Sequence, residues 1–144
     1  MKIQCAKDLI AYQKAYLLAM EIFQLTRKFP AEERFALTSQ IRRSSRSVCL
    51  NLREAWAKRR YEANFISKLT DCDGELNETD ASLDFAKDCE LIPAETHVRL
   101  TSLCTEIRRM LGSMLNNPLP FILKNPTGQR PKDTGQKEEG NGSS

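Results

Sequence analysis

The run Phe65-Ile66-Ser67-Lys68-Leu69-Thr70-Asp71-Cys72-Asp73-Gly74-Glu75-Leu76-Asn77-Glu78-Thr79-Asp80-Ala81-Ser82-Leu83-Asp84-Phe85-Ala86 decides the fold. Within it Phe65, Leu69, Cys72, Leu76, Thr79, Leu83 and Ala86 follow one another at spacings of 4, 3, 4, 3, 4 and 3. That repeat returns to one side of an α-helix every two turns and makes a heptad-like seam. It predicts a helix over about 62–89. Gly74 lies off the seam and costs about 1 kcal/mol relative to alanine unless a neighbour packs closely on it.

The same periodicity continues in both directions. Downstream, Ile92-Pro93 punctuates the chain, and Leu100, Cys104, Ile107, Leu111 and Met114 mark a further helix that Asn116-Asn117-Pro118 ends. Upstream, Leu37, Ile41, Val48, Leu52 and Ala55, with Trp56 adjoining, mark a helix over about 31–59, with a break expected near Arg60-Tyr61. Its middle, Ser44-Ser45-Arg46-Ser47, is small enough to admit a neighbouring helix closely. The first helix, about 8–28, carries Tyr12, Tyr16, Ala19 and Phe23, widened by Ala15, Leu18, Ile22 and Leu25, a breadth that predicts contacts on more than one side. Phe29-Pro30 interrupts it, because proline lacks the N–H a continuing helix needs. Pro30 suits the first turn of the next helix, with Glu32 and Glu33 near its positive end. Four amphipathic segments, each roughly 30 to 40 Å long, joined by short connections, make an all-α, up-down-up-down antiparallel four-helix bundle over 1–117. Residues 118–144, rich in Pro, Gly and Ser, read as a flexible, disordered C-terminal tail. Within that tail Phe121-Ile122-Leu123 is an apolar patch that docks either on its own bundle, the favoured reading, or on a partner.

At 144 residues one domain is expected, with 22 Lys+Arg against 19 Asp+Glu for a net charge of +3. No apolar run approaches the roughly 18 residues of a spanning helix, and residues 1–8 hold no apolar signal segment, so no membrane association and a cytoplasmic location are expected. The five cysteines, Cys5, Cys49, Cys72, Cys89 and Cys104, are odd in number and include no C-x-x-C pair. They read as buried or half-buried free thiols of a reducing compartment. His97, the single histidine, reads as a solvent-exposed helical residue.

Charge is distributed unevenly. Residues 31–60 sum to +5 and residues 61–90 to −7. At about 100° per residue, Arg42, Arg46 and Arg53 share roughly 40° of arc, with Arg43 beside them and Arg60 in line if the helix persists. Guanidinium groups present a rigid fork of donors to phosphate oxygens, so Arg42, Arg43, Arg46, Arg53, Lys58, Arg59 and Arg60 are candidate nucleic-acid contacts, to RNA or DNA. The competing reading pairs the ridge with Asp71, Asp73, Glu75, Glu78, Asp80, Asp84 and Asp88, in the same chain or in another copy.

Catalytic signatures are missing. Asp71, Glu75 and Glu78 have the spacing of a helical metal face, but no E-x-x-H pair accompanies them, and Ala94 stands three residues before His97. No Gly-rich phosphate loop, nucleophile elbow or H-E-x-x-H occurs. Neither metal nor cofactor is implied.

Two segments carry a resemblance. Ala11-Tyr12-Gln13-Lys14-Ala15 and Phe29-Pro30-Ala31-Glu32-Glu33-Arg34-Phe35-Ala36-Leu37-Thr38-Ser39-Gln40-Ile41-Arg42-Arg43-Ser44-Ser45 resemble the bacterial four-helix-bundle proteins encoded in intervening sequences of 23S ribosomal RNA genes. Phe65 to Asp73, Glu78-Thr79 and Phe85-Ala86 resemble one branch of that family. The family's Ser-Ile-Pro-x-Asn-Ile-Ala-Glu-Gly element appears here as Ser47-Val48-Cys49-Leu50-Asn51-Leu52-Arg53-Glu54-Ala55, without its proline and glycine, which implies a straighter helix and adds Arg53 to the ridge. The resemblance implies a cytosolic homo-oligomer, commonly a pentameric ring, without known catalysis. It also implies kinship with the nucleic-acid-binding accessory protein of diversity-generating retroelements, whose partner is a reverse transcriptase. A head-to-tail ring would set one charged face against the other. Two functions are therefore expected: nucleic-acid or ribonucleoprotein binding through the arginines, or a structural adaptor whose charged faces serve self-assembly.

Overall fold

The computed structural model describes residues 2–124; the remainder of the expected tail, 125–144, lies outside the described residues. Among the described residues four α-helices form: α1 (Ile10–Thr26), α2 (Leu37–Ala57), α3 (Glu62–Asp88) and α4 (Ala94–Asn116). Each packs on its neighbours in sequence, and α1 closes the circuit against α4, with α2 and α3 the most intimate pair. This is the antiparallel up-down-up-down bundle that the short connections require.

The core follows the seams. Phe65, Leu69, Cys72, Leu76, Thr79, Leu83 and Ala86 of α3 are all fully buried, as are Ile41 and Val48 of α2 and Cys104, Ile107 and Leu111 of α4. Ser44 and Ser45 are both buried, and at the α2–α3 contact Thr79 Oγ1 donates to the Glu75 carbonyl (2.9 Å) and lies 2.8 Å from Ser44 Oγ. The close approach expected of the small serines is therefore realised, with their hydroxyls hydrogen-bonded rather than stranded. On α1 the buried face is centred on Ala15, Leu18 and Ile22, while Tyr12 and Phe23 flank it and Tyr16 is 53% exposed. The expected stripe through Tyr12 and Tyr16 is thus the edge of the buried face and not its centre.

Helix ends correct the sequence reading in two places. Residues Ala31–Glu33 form a single 3-10 turn, and α2 starts at Leu37 instead of Ala31. None of residues 31–36 is buried, so nothing anchors an earlier helical turn to the core, and helical turns depend on that packing. Glu33 still serves the helix start, its Oε2 accepting from the Leu37 N–H at 3.3 Å. At the other end α2 stops at Ala57, because Arg59 folds back to donate from Nε to the Trp56 carbonyl at 2.8 Å, with its guanidinium 3.5 Å from the Trp56 ring centroid. Between these ends α2 is uninterrupted, as the missing proline of its Ser47–Ala55 segment implies.

The α3–α4 connection is a Schellman turn: the Leu91 N–H donates to the Ala86 carbonyl (2.8 Å) and Glu90 takes the left-handed conformation at φ 61°. The turn delivers Ile92 into the core. Past α4, Phe121 stacks on Phe65 with centroids 6.0 Å apart, Ile122 is buried, and the Leu123 N–H donates to the Arg59 carbonyl at 3.1 Å. The apolar patch therefore docks on its own bundle, strapping the end where α2 meets α3.

Two cysteines and the histidine depart from expectation. Cys49, Cys72 and Cys104 are buried, but Cys5 and Cys89 are exposed, since both lie beyond helix ends where no second layer covers them. His97 is largely covered, its side chain 17% exposed, with Nε2 2.6 Å from Asp84 Oδ1 across the α3–α4 turn.

Candidate nucleic-acid interface

The groove between α1 and α2 holds the arginines in two clusters. At one end Arg42 Nε donates to Thr26 Oγ1 at 2.7 Å, and Thr26 in turn donates to the Ile22 carbonyl at 2.7 Å, so a buried hydroxyl fixes the guanidinium. Arg42, Arg46 and Arg27 lie 4.9, 5.8 and 6.0 Å from the centroid of the Phe23 ring. At the other end Arg53 lies 5.7 Å from the Tyr12 centroid and donates to the Tyr12 hydroxyl at 3.4 Å.

Tyr12 and Phe23 stand 11 residues apart on α1, as Arg42 and Arg53 do on α2. In an antiparallel pair a step forward on one helix is a step back on the other. Equal spacings of three turns therefore set each arginine opposite a ring. Attraction to a ring face orients a guanidinium without neutralising it, because the ring contributes a quadrupole and no net charge. Among the described residues, no carboxylate forms an ion pair with Arg42, Arg46 or Arg53.

The other candidates are placed differently. Arg43, turned towards α3, reaches Glu75 at 3.3 Å and Glu78 at 2.5 Å. Hydrogen bonds from Arg43 hold the Glu78 carboxyl below its usual range and raise the Arg43 guanidinium in return. Arg43 thus follows the competing reading, ion pairing within the chain. Lys58 caps the end of α2 and is exposed. Arg59, its pKa lowered by burial, is committed through its guanidinium to the Trp56 carbonyl and ring, while its own carbonyl accepts from the Leu123 N–H. Arg60 lies beyond the helix, 5.9 Å from the Tyr61 centroid, and is therefore not in line with the ridge.

Three of the seven acids expected opposite the ridge engage other partners. Asp80 pairs with Arg108 (3.4 Å), Asp71 with Lys68 (3.6 Å) and Asp84 with His97. Asp71, Glu75 and Glu78, the spacing that suggested a metal face, are drawn instead to Lys68 and Arg43.

Sequence reasoning passed over Tyr12, Phe23, Thr26 and Arg27 as members of this surface, and also Arg34-Phe35, where a phenylalanine is 89% exposed with the Arg34 guanidinium 5.4 Å from its centroid. The matched spacing of rings and arginines was the available signal for the first two. Among the described residues no helix is long and apolar enough to cross a membrane.

Comparison with known proteins agrees with this architecture. A solved structure at 1.70 Å resolution, of a protein of unknown function from the S23 ribosomal protein family of Bacteroides thetaiotaomicron VPI-5482, superposes with a TM-score of 0.69 at 30% identity, covering 75% of this chain and 96% of that one. No curated protein matches. The model of the 23S rRNA-intervening sequence protein family matches residues 7–113, which span all of α1 to α3 and most of α4. The chain belongs to the 23S rRNA-intervening sequence protein family.

Proposed function

We propose that this protein is a non-enzymatic, cytosolic homo-oligomer, a pentameric ring, that binds nucleic acid or a ribonucleoprotein through the α1–α2 groove, in a role such as accessory factor to a reverse transcriptase. One observation carries the binding reading: Arg42, Arg46 and Arg53 are held on aromatic rings with no carboxylate partner, so their field is oriented and uncompensated. Such groups gain most from phosphate, whose counterions are released on binding. Ile10, Tyr16, Leu17 and Met20 leave an apolar stripe on the outer side of α1, which supports self-association. That stripe also favours the second reading, a structural adaptor whose charged faces serve assembly alone.

Salt dependence separates the two. Fluorescence anisotropy with a labelled RNA and a duplex DNA should show affinity falling steeply with salt. Replacing Arg42, Arg46 and Arg53 by alanine should reduce the log–log slope by about 0.7 to 0.9 per phosphate contact removed. Failure of both nucleic acids to bind at low salt, with the oligomer intact by native mass spectrometry, leaves only the adaptor. A monomeric mass would overturn the ring.

A further inference from the structure

We propose that the recess at the start of α2, built on Phe35, receives an unpaired base, so that the ligand of the groove is a single-stranded nucleic acid. This rests on the binding reading above and narrows it. Phe35 is 89% exposed, the most exposed of the large apolar side chains among the described residues. Its backbone is nonetheless firmly placed: the Arg34 N–H donates to Ala31 (3.1 Å), the Ala36 N–H to Glu33 (3.1 Å), and the Leu37 N–H to the Glu33 carboxylate (3.3 Å). The ring is therefore presented by a braced turn.

Its surroundings select the partner. Phe35 shares its recess with Arg34, Arg42, Arg46 and Leu50. An apolar protein surface closing over these guanidinium groups would desolvate cations without compensating them. A nucleotide supplies both complements at once, a flat π-face for the ring and a phosphate for the arginines. Bases inside a duplex hide their faces in the stack, whereas unpaired bases offer them to aromatic side chains. The ridge from Arg42 to Arg53 spans about 16 Å at 1.5 Å per residue, long enough to follow more than one phosphate of a strand.

The test compares a labelled unstructured oligonucleotide with a duplex of the same length, using the full chain. Phe35→Ala should weaken single-strand binding about tenfold, within the range of a lost base stack, while leaving duplex binding and the salt slope unchanged, because no charge is removed. Phe35→Leu should behave like Phe35→Ala. Phe35→Trp should retain affinity, and its emission, after subtraction of the wild-type Trp56 signal, should be quenched on single-strand binding. Unchanged single-strand affinity in Phe35→Ala, or an equal loss for duplex and single strand, overturns the inference while the basic groove stands. A changed oligomer mass in Phe35→Ala would assign the ring to a subunit contact and overturn it too. So would competition by polyglutamate as effective as that by unlabelled oligonucleotide. If the wild type binds neither nucleic acid, the reading of the groove itself fails.

Discussion

Replacing Ile122 with alanine asks whether the C-terminal strap is a working part of the bundle. The side chain is 6% exposed and belongs to the core, beside the Phe121–Phe65 stack. Three carbons are removed, each worth about 0.8 kcal/mol when buried, which gives about 2.4 kcal/mol. A residual cavity would add to this, but the site lies at one end of the bundle where the chain can settle, so the low end of the about 2 to 5 kcal/mol seen for Ile→Ala applies. With an unfolding entropy near 2.1 cal/mol/K per residue over roughly 120 residues, the loss corresponds to a fall in Tm of about 10 °C. Urea titration followed by helical circular dichroism measures the free energy, and a thermal scan measures Tm. Leu123, 45% exposed, supplies the control, and Leu123→Ala should cost well under half as much. If the two variants agree to within about 0.5 kcal/mol, the strap is not seated in solution, and its apolar residues are free to engage a partner, the alternative open to this patch in the sequence.

Three further outcomes follow from local geometry. Gly74→Ala and Glu90→Gly should each raise stability by about 1 kcal/mol in the same urea assay: a Cβ at Gly74 meets nothing within 4 Å in mid-helix, and Glu90 holds a left-handed φ that glycine adopts freely. A loss on Gly74→Ala would reveal a contact on that bare backbone from another copy. Stability should also fall as pH drops below about 5. Arg43 lowers the native pKa of Glu78, Lys68 that of Glu54 and Lys14 that of Glu106, so the unfolded chain binds more protons and the native state loses ground as these carboxyls protonate. Arg43→Ala should flatten that acid limb, and an unchanged limb would show the Arg43–Glu78 pair to be absent in solution. Finally, a thiol reagent near pH 8 should label Cys5 and Cys89 quickly. Cys49 and Cys104, pushed up to about 11 and 12 by burial, and Cys72, raised further still, should react only after unfolding; mass spectrometry counts the adducts.

How much of this was readable in the sequence varies by physical cause. The α3 seam was fully legible because the period of a helix and the direction of burial are the same information, and all seven seam residues are buried. Helix ends were less legible. α2 ends where Arg59 satisfies a terminal carbonyl with its own side chain, a choice that periodicity does not encode. Within the candidate site, the helical period places Arg42, Arg43, Arg46 and Arg53 on neighbouring positions of α2. It could not say which flank faces α1 and which faces α3. That distinction separates Arg43, neutralised by Glu75 and Glu78, from its neighbours on the rings of α1. His97 was misread for a similar reason, since its partner Asp84 comes into reach only through the Schellman turn.

The partition of charge bears on how any ring would close. A +5 segment beside a −7 segment suggests subunits joined by opposite faces, yet Asp71, Glu75, Glu78, Asp80 and Asp84 of α3 already engage Arg43, Lys68, His97 and Arg108 of their own chain. A neighbouring subunit would have to exchange one set of partly exposed pairs for another, and such pairs are worth about 0 to 1 kcal/mol whichever chain supplies them. In such a ring electrostatics would therefore add little, and the apolar stripe of Ile10, Tyr16, Leu17 and Met20 would be the main source of cohesion. The arginines over Phe23 and Tyr12 have no such compensation, so phosphate would be their strongest partner. The two processes should separate under salt. On the proposed function, raising it should strip nucleic acid from the groove by screening and lost counterion release while leaving an oligomer joined through that stripe unchanged in mass. An oligomer that dissociates over the same range of salt would show that its subunits, and not phosphate, hold the arginine ridge.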